Sequence, residues 1–422
     1  MAEKQGKGSV EGLNRLATLL PTATGVKCAV VRQTKGSVRS ILVLLCLMRI
    51  FSGPISLAAT LTVNSGHDVQ DLEPGNGLCV AYIVFSFPAV LPFCTLRAAI
   101  EEANSLPGED VIYLEGGTYT LSLAGTAEDR AATGDLDISD SLRIIGAGAD
   151  RTFIDAFGLD RVFDVVGSAT KVHISGVTVR GGRLRADLPH GERDGGGVRN
   201  RGSLTLSRVV VAGNAAGDFG GGIYNDSNGQ LAIQASTITA NSAAGGGGLF
   251  NNGSATLTNV TVSGNRATVL SGGGLDNNGR LRLVHCTVAA NSASAGGGVA
   301  GSGRLAMVNT LLAGNGGDNC FLAAGIESGG GNLDSGSTCT LTGGGDLEEA
   351  DPRLGPLANN GGPTWTHALE AGSAAIDHGR TLAYITSDQR GTARPTRQGY
   401  DIGAYEAAEL SLPPCFAPLL LH

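Results

Sequence analysis

Between residues 195 and 315 the apolar and polar positions repeat in five units. Each unit opens on a Gly triplet (first residues Gly195, Gly220, Gly246, Gly272 and Gly296) followed by Val198, Ile223, Leu249, Leu275 or Val299. Each closes on an Asn: Asn214, Asn241, Asn265, Asn291 and Asn315. The steps between triplets are 25, 26, 26 and 24 residues. Ten residues before the closing Asn stand Leu204, Leu231, Ala255, Leu281 and Leu305, and eight before it Leu206, Ile233, Leu257, Leu283 and Met307. Three before it stand Val211, Ile238, Val262, Val288 and Leu312, and five before it the narrower column Val209, Ser236, Val260, Cys286 and Thr310. Apolar residues two apart, at one offset in every unit, predict short strands with one inward face. A period in the twenties predicts a solenoid whose units cannot bury their apolar faces alone. No helical stripe fits, and glycine is too dense for helices. The expected fold is all-β, a right-handed parallel β-helix. At ~4.8 Å per coil the five units span on the order of 24 Å.

Glycine and asparagine have mechanical roles in such a rod. The triplets suit a corner that needs positive φ, where a Cβ would strike the next coil. A second Asn column, Asn200, Asn225, Asn251 and Asn277, is broken by Gly301 in the fifth unit. Stacked Asn side chains hydrogen-bond from coil to coil, so the closing Asn residues read as a structural ladder. A polar ligand-binding stripe is the other reading.

Charge divides the chain. Residues 1–59 carry eight basic against two acidic residues, so the net charge of −8 leaves −14 on residues 60–422. An acidic body argues against nucleic acid as a partner. Within the leader, Arg39, an apolar run over 41–48 and Ser56-Leu57-Ala58-Ala59 predict a signal peptide at about 38–58. An uncleaved membrane anchor is the alternative. Export gives the cysteines a redox context: Cys79 with Cys94 and Cys320 with Cys339 are each close enough in sequence for a disulfide, although spacing leaves connectivity open. Cys286 lies in an inward column and reads as a buried small hydrophobe. No Cys/His cluster has zinc spacing.

The stretch from Cys94, CTLRAAIEEANSLPGEDVIYLEGGTYTL, predicts a short helix. Thr95 is its N-cap, and Leu96, Ala99, Ile100 and Ala103 share one face. Such a helix would cover the first coil's open end. The run resembles the CSLREA domain found at the N-terminus of secreted bacterial β-helix proteins of pectin-lyase-like or polymorphic-outer-membrane-protein-like type. Cys94-Thr95-Leu96-Arg97 and Ala99-Ile100 match, whereas Ala98 stands where the family carries Glu. That Glu would complete a capping box. Three further stretches resemble the choice-of-anchor Q domain, which precedes varied surface-sorting tails: DPRLGPLANNGGPTWTHALEAGSAAIDHG from Asp351, DQRGTARP from Asp388 and YDIGAYE from Tyr400. Trp365 is expected inside that module. The chain thus divides into a leader (1–59), an N-terminal cap (60–123), the β-helix (124–345), a C-terminal capping module (346–407) and a tail (408–422) without an LPxTG-type signal. The loop at 80–93 is unusually apolar; it either packs under the helix or forms a membrane or partner contact.

Candidate chemistry is sparse. Asp135 and Asp137 share a strand face and could hold Ca²⁺, or serve as turn and cap residues. The polar loop at 184–194, with Asp187, His190, Glu192 and Arg193, is the most site-like segment. Outward strand positions of the regular coils are Thr205, Ser207, Ala232, Gln234, Thr256, Thr258, Arg282, Val284, Ala306 and Val308, none acidic. Asp377-His378 and Asp388 read as structural parts of the C-terminal module. With no acid pair placed for hydrolysis or for a metal, no catalytic, cofactor or metal residue is assigned in the repeats. The expectation is a secreted or surface-displayed, non-catalytic protein, adhesin-like or envelope-structural, with a cell-surface or polysaccharide ligand. A polysaccharide lyase or glycoside hydrolase is the alternative.

Overall fold

The computed structural model describes residues 58–82, 92–126, 128–185 and 187–408. The signal segment, the apolar loop at 83–91 and the tail beyond 408 lie outside the described residues.

Residues 60–350 wind into a parallel β-helix. Each strand pairs in parallel with its counterpart one coil away: Leu204↔Leu231, Leu231↔Ala255, Ala255↔Leu281 and Leu281↔Leu305 continue one inward column. Leu206, Ile233, Leu257, Leu283 and Met307 fill the next, each at most 1% exposed. Eighteen strands join in one bent sheet, because Gln230–Thr239 and Ser254–Ser263 run through a corner that elsewhere separates two strands. A second, narrow sheet has eight strands, five of which follow the Gly triplets.

Three left-handed corners turn each regular coil. The first residue of every triplet makes one, with φ from 57° to 73°. Gly213, Ala240, Gly264, Ala290 and Gly314 make the second, just before each closing Asn. Arg208, Ala235, Asn259, His285 and Asn309 make the third, with φ from 47° to 56° and no glycine among them. The closing Asn residues form a buried ladder. Asn214 Nδ2 donates to Asn241 Oδ1, Asn241 to Asn265, Asn265 to Asn291 and Asn291 to Asn315, at 2.9–3.0 Å. The same amides also reach a carbonyl one coil back, as Asn241 does to Val211, so little polar capacity is left over. The second Asn column runs Asn200, Asn225, Asn251, Asn277 at 2.7 Å per step.

At the N-terminal end, helix α1 (Leu96–Ser105) lies over the first coils, with Leu96, Ala99, Ile100 and Ala103 joined to the solenoid core. Thr95 Oγ1 caps it by accepting from Ala98 N at 3.1 Å. Asn104 finishes the narrow sheet like a missing strand: its Nδ2 donates to Asp137 O at 2.8 Å and its Oδ1 accepts from Ser139 N at 2.9 Å. Cys79–Cys94 ties the preceding segment to the helix start, and Cys320–Cys339 clasps the last coils. Cys286 is free and buried, its thiol pushed up to about 12 by burial.

The cap also stores a carboxyl. Glu101 accepts from Asp71 N at 2.6 Å, and burial drives its pKa up to about 7 from 4.5. The folded chain therefore holds a proton that the unfolded chain releases between those values. This contribution is fully present below pH 4.5 and is lost as pH rises through about 7, by up to about 3 kcal/mol. Denaturant titrations at pH 4.5 and 7.5 should show a smaller loss for Glu101→Gln than for wild type. Equal losses would dissociate Glu101 from the pH dependence.

The C-terminal residues fold back along the flank of the coils rather than only over their end. Gln389 Nε2 donates to Thr237 Oγ1, Thr364 Oγ1 and Trp365 O, and its Oε1 accepts from Thr261 Oγ1 at 2.7 Å. Asn259 and Asn309, two of the left-handed corner residues, donate to Ser387 O and Arg380 O. Leu369, Ala375, Ile402 and Ala407 share a core with Leu311, Ala313 and Leu333. Val284 and Val308 point outward and are nonetheless buried. Trp365, expected inside this module, is 47% exposed, because it is its carbonyl that makes the contact with the rod. Asp388 is buried against Arg390 at 2.7 Å, and Asp377 accepts from Gly399 N, both structural roles.

Candidate functional site: a charged row and a basic face

The narrow sheet's strands have three residues each, so only the middle one points outward. Pairing aligns these into one row: Asp137, Asp164, Arg199, Tyr224, Phe250, Asp276, Ala300 and Phe321. The triplet glycines leave room for it; a Cβ on Gly272 would come within 2.6 Å of Asp276 Cβ, and one on Gly246 within 2.8 Å of Phe250 Cβ. The outward positions counted from the sequence belong to the other sheet, so the expectation of acid-free outward positions missed this row. Asp276 stands in it, buried and bonded to Ser271 and Asn278. Tyr224 and Phe250 stack on each other 5.6 Å apart, and Phe250 meets Phe219 at 4.4 Å.

The row's first end is densely charged. Asp164 Oδ2 accepts from Arg199 at 2.5 Å and Arg201 at 2.9 Å, and Arg161 lies 3.5 Å away. Burial works to raise this carboxyl, but Arg161, Arg199 and Arg201 outweigh it and hold the pKa below the usual range. Asp135 pairs with Arg161 at 2.6 Å, and burial keeps its pKa raised against that partner. Asp137 goes to about 9, driven by burial and then by the charge of Asp135. Neighbouring carboxyls pushed in opposite directions are the usual mark of an acid and a base. Here Asp137 is 0% and Asp164 1% exposed, so the pair is closed to a substrate as large as a sugar. Asp135 and Asp137, weighed from the sequence as Ca²⁺ ligands or as turn and cap residues, have different neighbours: Arg161 takes Asp135, while Asp137 shares its space with Asp129 and Asp164, the three offering oxygen atoms within 4.8 Å of one another.

The loop at 184–194 lies against this cluster, but its four candidate residues do not converge. Asp187 pairs with Arg185, both exposed. His190 and Arg193 both reach Asp218, at 2.9 and 3.5 Å. Glu192 turns the other way, to Arg199 at 3.4 Å. Asp194 and Asp218 are close enough that Asp218 adds to the rise that burial imposes on Asp194.

The long sheet presents a different surface. Its outward residues from Lys171 to the strand Arg304–Val308 are Lys171, His173 and Ser175, then Ser203, Thr205 and Ser207, then Gln230, Ala232 and Gln234, then Ser254, Thr256 and Thr258. Arg280, Arg282 and Val284, then Arg304, Ala306 and Val308, complete it. No acid interrupts these six coils, and Arg143 precedes them. Arg280, Arg282 and Arg304 are exposed and border a shallow depression of about 230 Å³ with Ser254, Thr256 and, from the next coil, Glu327, whose carboxylate lies 3.7 Å from Arg304. Among the described residues no helix is long and apolar enough to cross a membrane.

No protein-family model matches the chain, and no curated protein matches it, so neither domain resemblance gains support from these comparisons. Among solved structures the chain is similar to pectate lyase Pel9A, with a TM-score of 0.38 and 14% identity over 83% of this chain and 97% of that one. The likeness carries no argument about activity. The chain is a parallel β-helix, as its strand register shows.

Proposed function

We propose that this is a secreted or surface-displayed β-helix that binds without catalysing, adhesin-like or envelope-structural, and that it takes an acidic polysaccharide on the outward face of its long sheet. The observation that carries the reading is charge segregation. Residues 60–422 have a net charge of −14, yet six consecutive coils of this face offer arginine, lysine, hydroxyl and amide groups and no carboxylate. Arg280 and Arg304 are register partners on adjacent coils, and Arg282 lies two residues along the first strand. Guanidinium forks so spaced suit the carboxylates or sulfates of an extended glycan lying along the rod. The two disulfides favour an oxidising, extracellular setting. Burial of the Asp137–Asp164 pair supports binding over cleavage.

The test is retention of the full chain on immobilised polygalacturonate, alginate and heparin. Binding should weaken with salt and vanish in Arg280→Ser/Arg282→Ser/Arg304→Ser, whose exposed changes leave folding intact. Unchanged retention by that variant would move the site elsewhere. Release of unsaturated or reducing ends would replace the binding reading with the enzyme.

A further inference from the structure

We propose that Asp129, Asp137 and Asp164 form a Ca²⁺ site at the N-terminal end of the charged row. One oxygen from each lies within 4.8 Å of the others. That is about twice a Ca–O distance of roughly 2.4 Å, so an ion between any two of them touches both and has the third within a small side-chain shift. Two buried oxygens, Asp137 Oδ1 and Asp164 Oδ1, have no hydrogen-bond partner, although their companions are used. Asp164 Oδ2 takes the guanidiniums of Arg199 and Arg201, and Asp137 Oδ2 accepts from Ala131 N at 2.8 Å. A buried acceptor left open costs free energy that a ligand recovers.

The arginines do not answer this need. Arg161 and Arg199 are committed to Asp135 and Asp164, and Arg201 bridges Asp164 to Asp129 Oδ1. Among the described residues no salt bridge reaches Asp137, which faces the charges of Asp135, Asp164 and Glu128. The three guanidiniums are thus matched by Asp135, Asp164 and Asp129, and Asp137 is left without a cation among the described residues, a place that a divalent ion fills. Asp129 is 58% exposed at its side chain, giving the ion and its remaining waters a way in. Irregular carboxylate geometry with added water suits Ca²⁺ better than Mg²⁺, which demands a near-ideal octahedron. The site is independent of the basic face, which lies on the other sheet.

The experiment is calorimetric titration and thermal melting of the full chain, stripped with EGTA, at pH 7.5. One Ca²⁺ per chain should bind and raise the melting temperature by about 2 °C or more. Asp137→Asn should abolish both effects, while Asp276→Asn, further along the row, should keep them. Should Asp137→Asn fail to fold, exposed Asp129→Asn serves instead and should shift the Ca²⁺ titration to higher concentration. The proposal is overturned if wild type ignores Ca²⁺; a higher melting temperature for Asp137→Asn would then show that Asp137 and Asp164 share a proton, which an Asn N–H replaces. Equal Ca²⁺ binding by wild type and both Asp129 and Asp137 variants would place the ion elsewhere and overturn it too.

Discussion

Arg97→Ala is expected to destabilise the N-terminal end of the solenoid by about 3–5 kcal/mol, the cost of leaving one partner of a buried ion pair unmatched. Arg97 is 1% exposed and makes five bonds. Its Nε and Nη2 meet the two oxygens of Asp68 at 2.5 and 3.2 Å, and its remaining donors hold Ala131 O, Gly134 O and Asp135 O at 2.7–3.1 Å. Asp68 in turn accepts from Ser122 N and Leu123 N. One guanidinium thus pins α1, the segment before it and the turn that delivers Asp135 and Asp137. Arg97→Lys should recover little, because an ammonium cannot reach the same carbonyls with a planar fork. Exposed Arg185→Ala should stay within about 0.5 kcal/mol. Urea titration with hydrogen exchange over 60–140 would measure both. If Arg97→Ala matched Arg185→Ala, the cap would not depend on this cation.

This residue also marks how far sequence reasoning reached. Thr95, Leu96, Ala99, Ile100 and Ala103 were legible as a capped helix because a cap and a 3.6-residue stripe are local signals. The missing Glu at Ala98 drew notice, whereas the burial of Arg97 depends on carbonyls 34–38 residues away. The inward columns from Leu204 to Leu312 were legible for the opposite reason: repetition averages over five coils and fixes the register without tertiary knowledge. The narrow sheet escaped, since three-residue strands give one alternation and no period. The left-handed corner at Asn259, His285 and Asn309 escaped because non-glycine residues occupy it, held there by contacts with the C-terminal module. Asn309, for example, bonds both His285 and Arg380. Asp129, Asp137 and Asp164 belong to irregular coils whose lengths no repeat supplies, so nothing in the sequence says that they meet.

Val262→Asp is expected to cost on the order of 4 kcal/mol, and Thr258→Asp in the same strand about 0.5 kcal/mol, although both introduce one carboxylate. Both positions lie in Ser254–Ser263, which bends at Asn259, where φ is 53°. That left-handed residue breaks simple alternation, so inward Leu257 is followed by inward Val260 and Val262 rather than by an unbroken two-residue rhythm. Val262 is 0% exposed between Ile238 and Val288 of the adjacent coils. A carboxylate there must ionise in an apolar column or stay protonated at a cost in pKa, and either route weakens the fold near neutral pH. Thr258 is half-buried between Gln234 and Val284 and keeps a path to water. Equilibrium unfolding at pH 7 compares the two directly. Acidification toward pH 4 should narrow the gap, because a buried Asp with a raised pKa penalises folding less once the unfolded chain is protonated as well. Equal losses would mean that the strand does not turn at Asn259 and that the inward column beyond it is displaced by one residue.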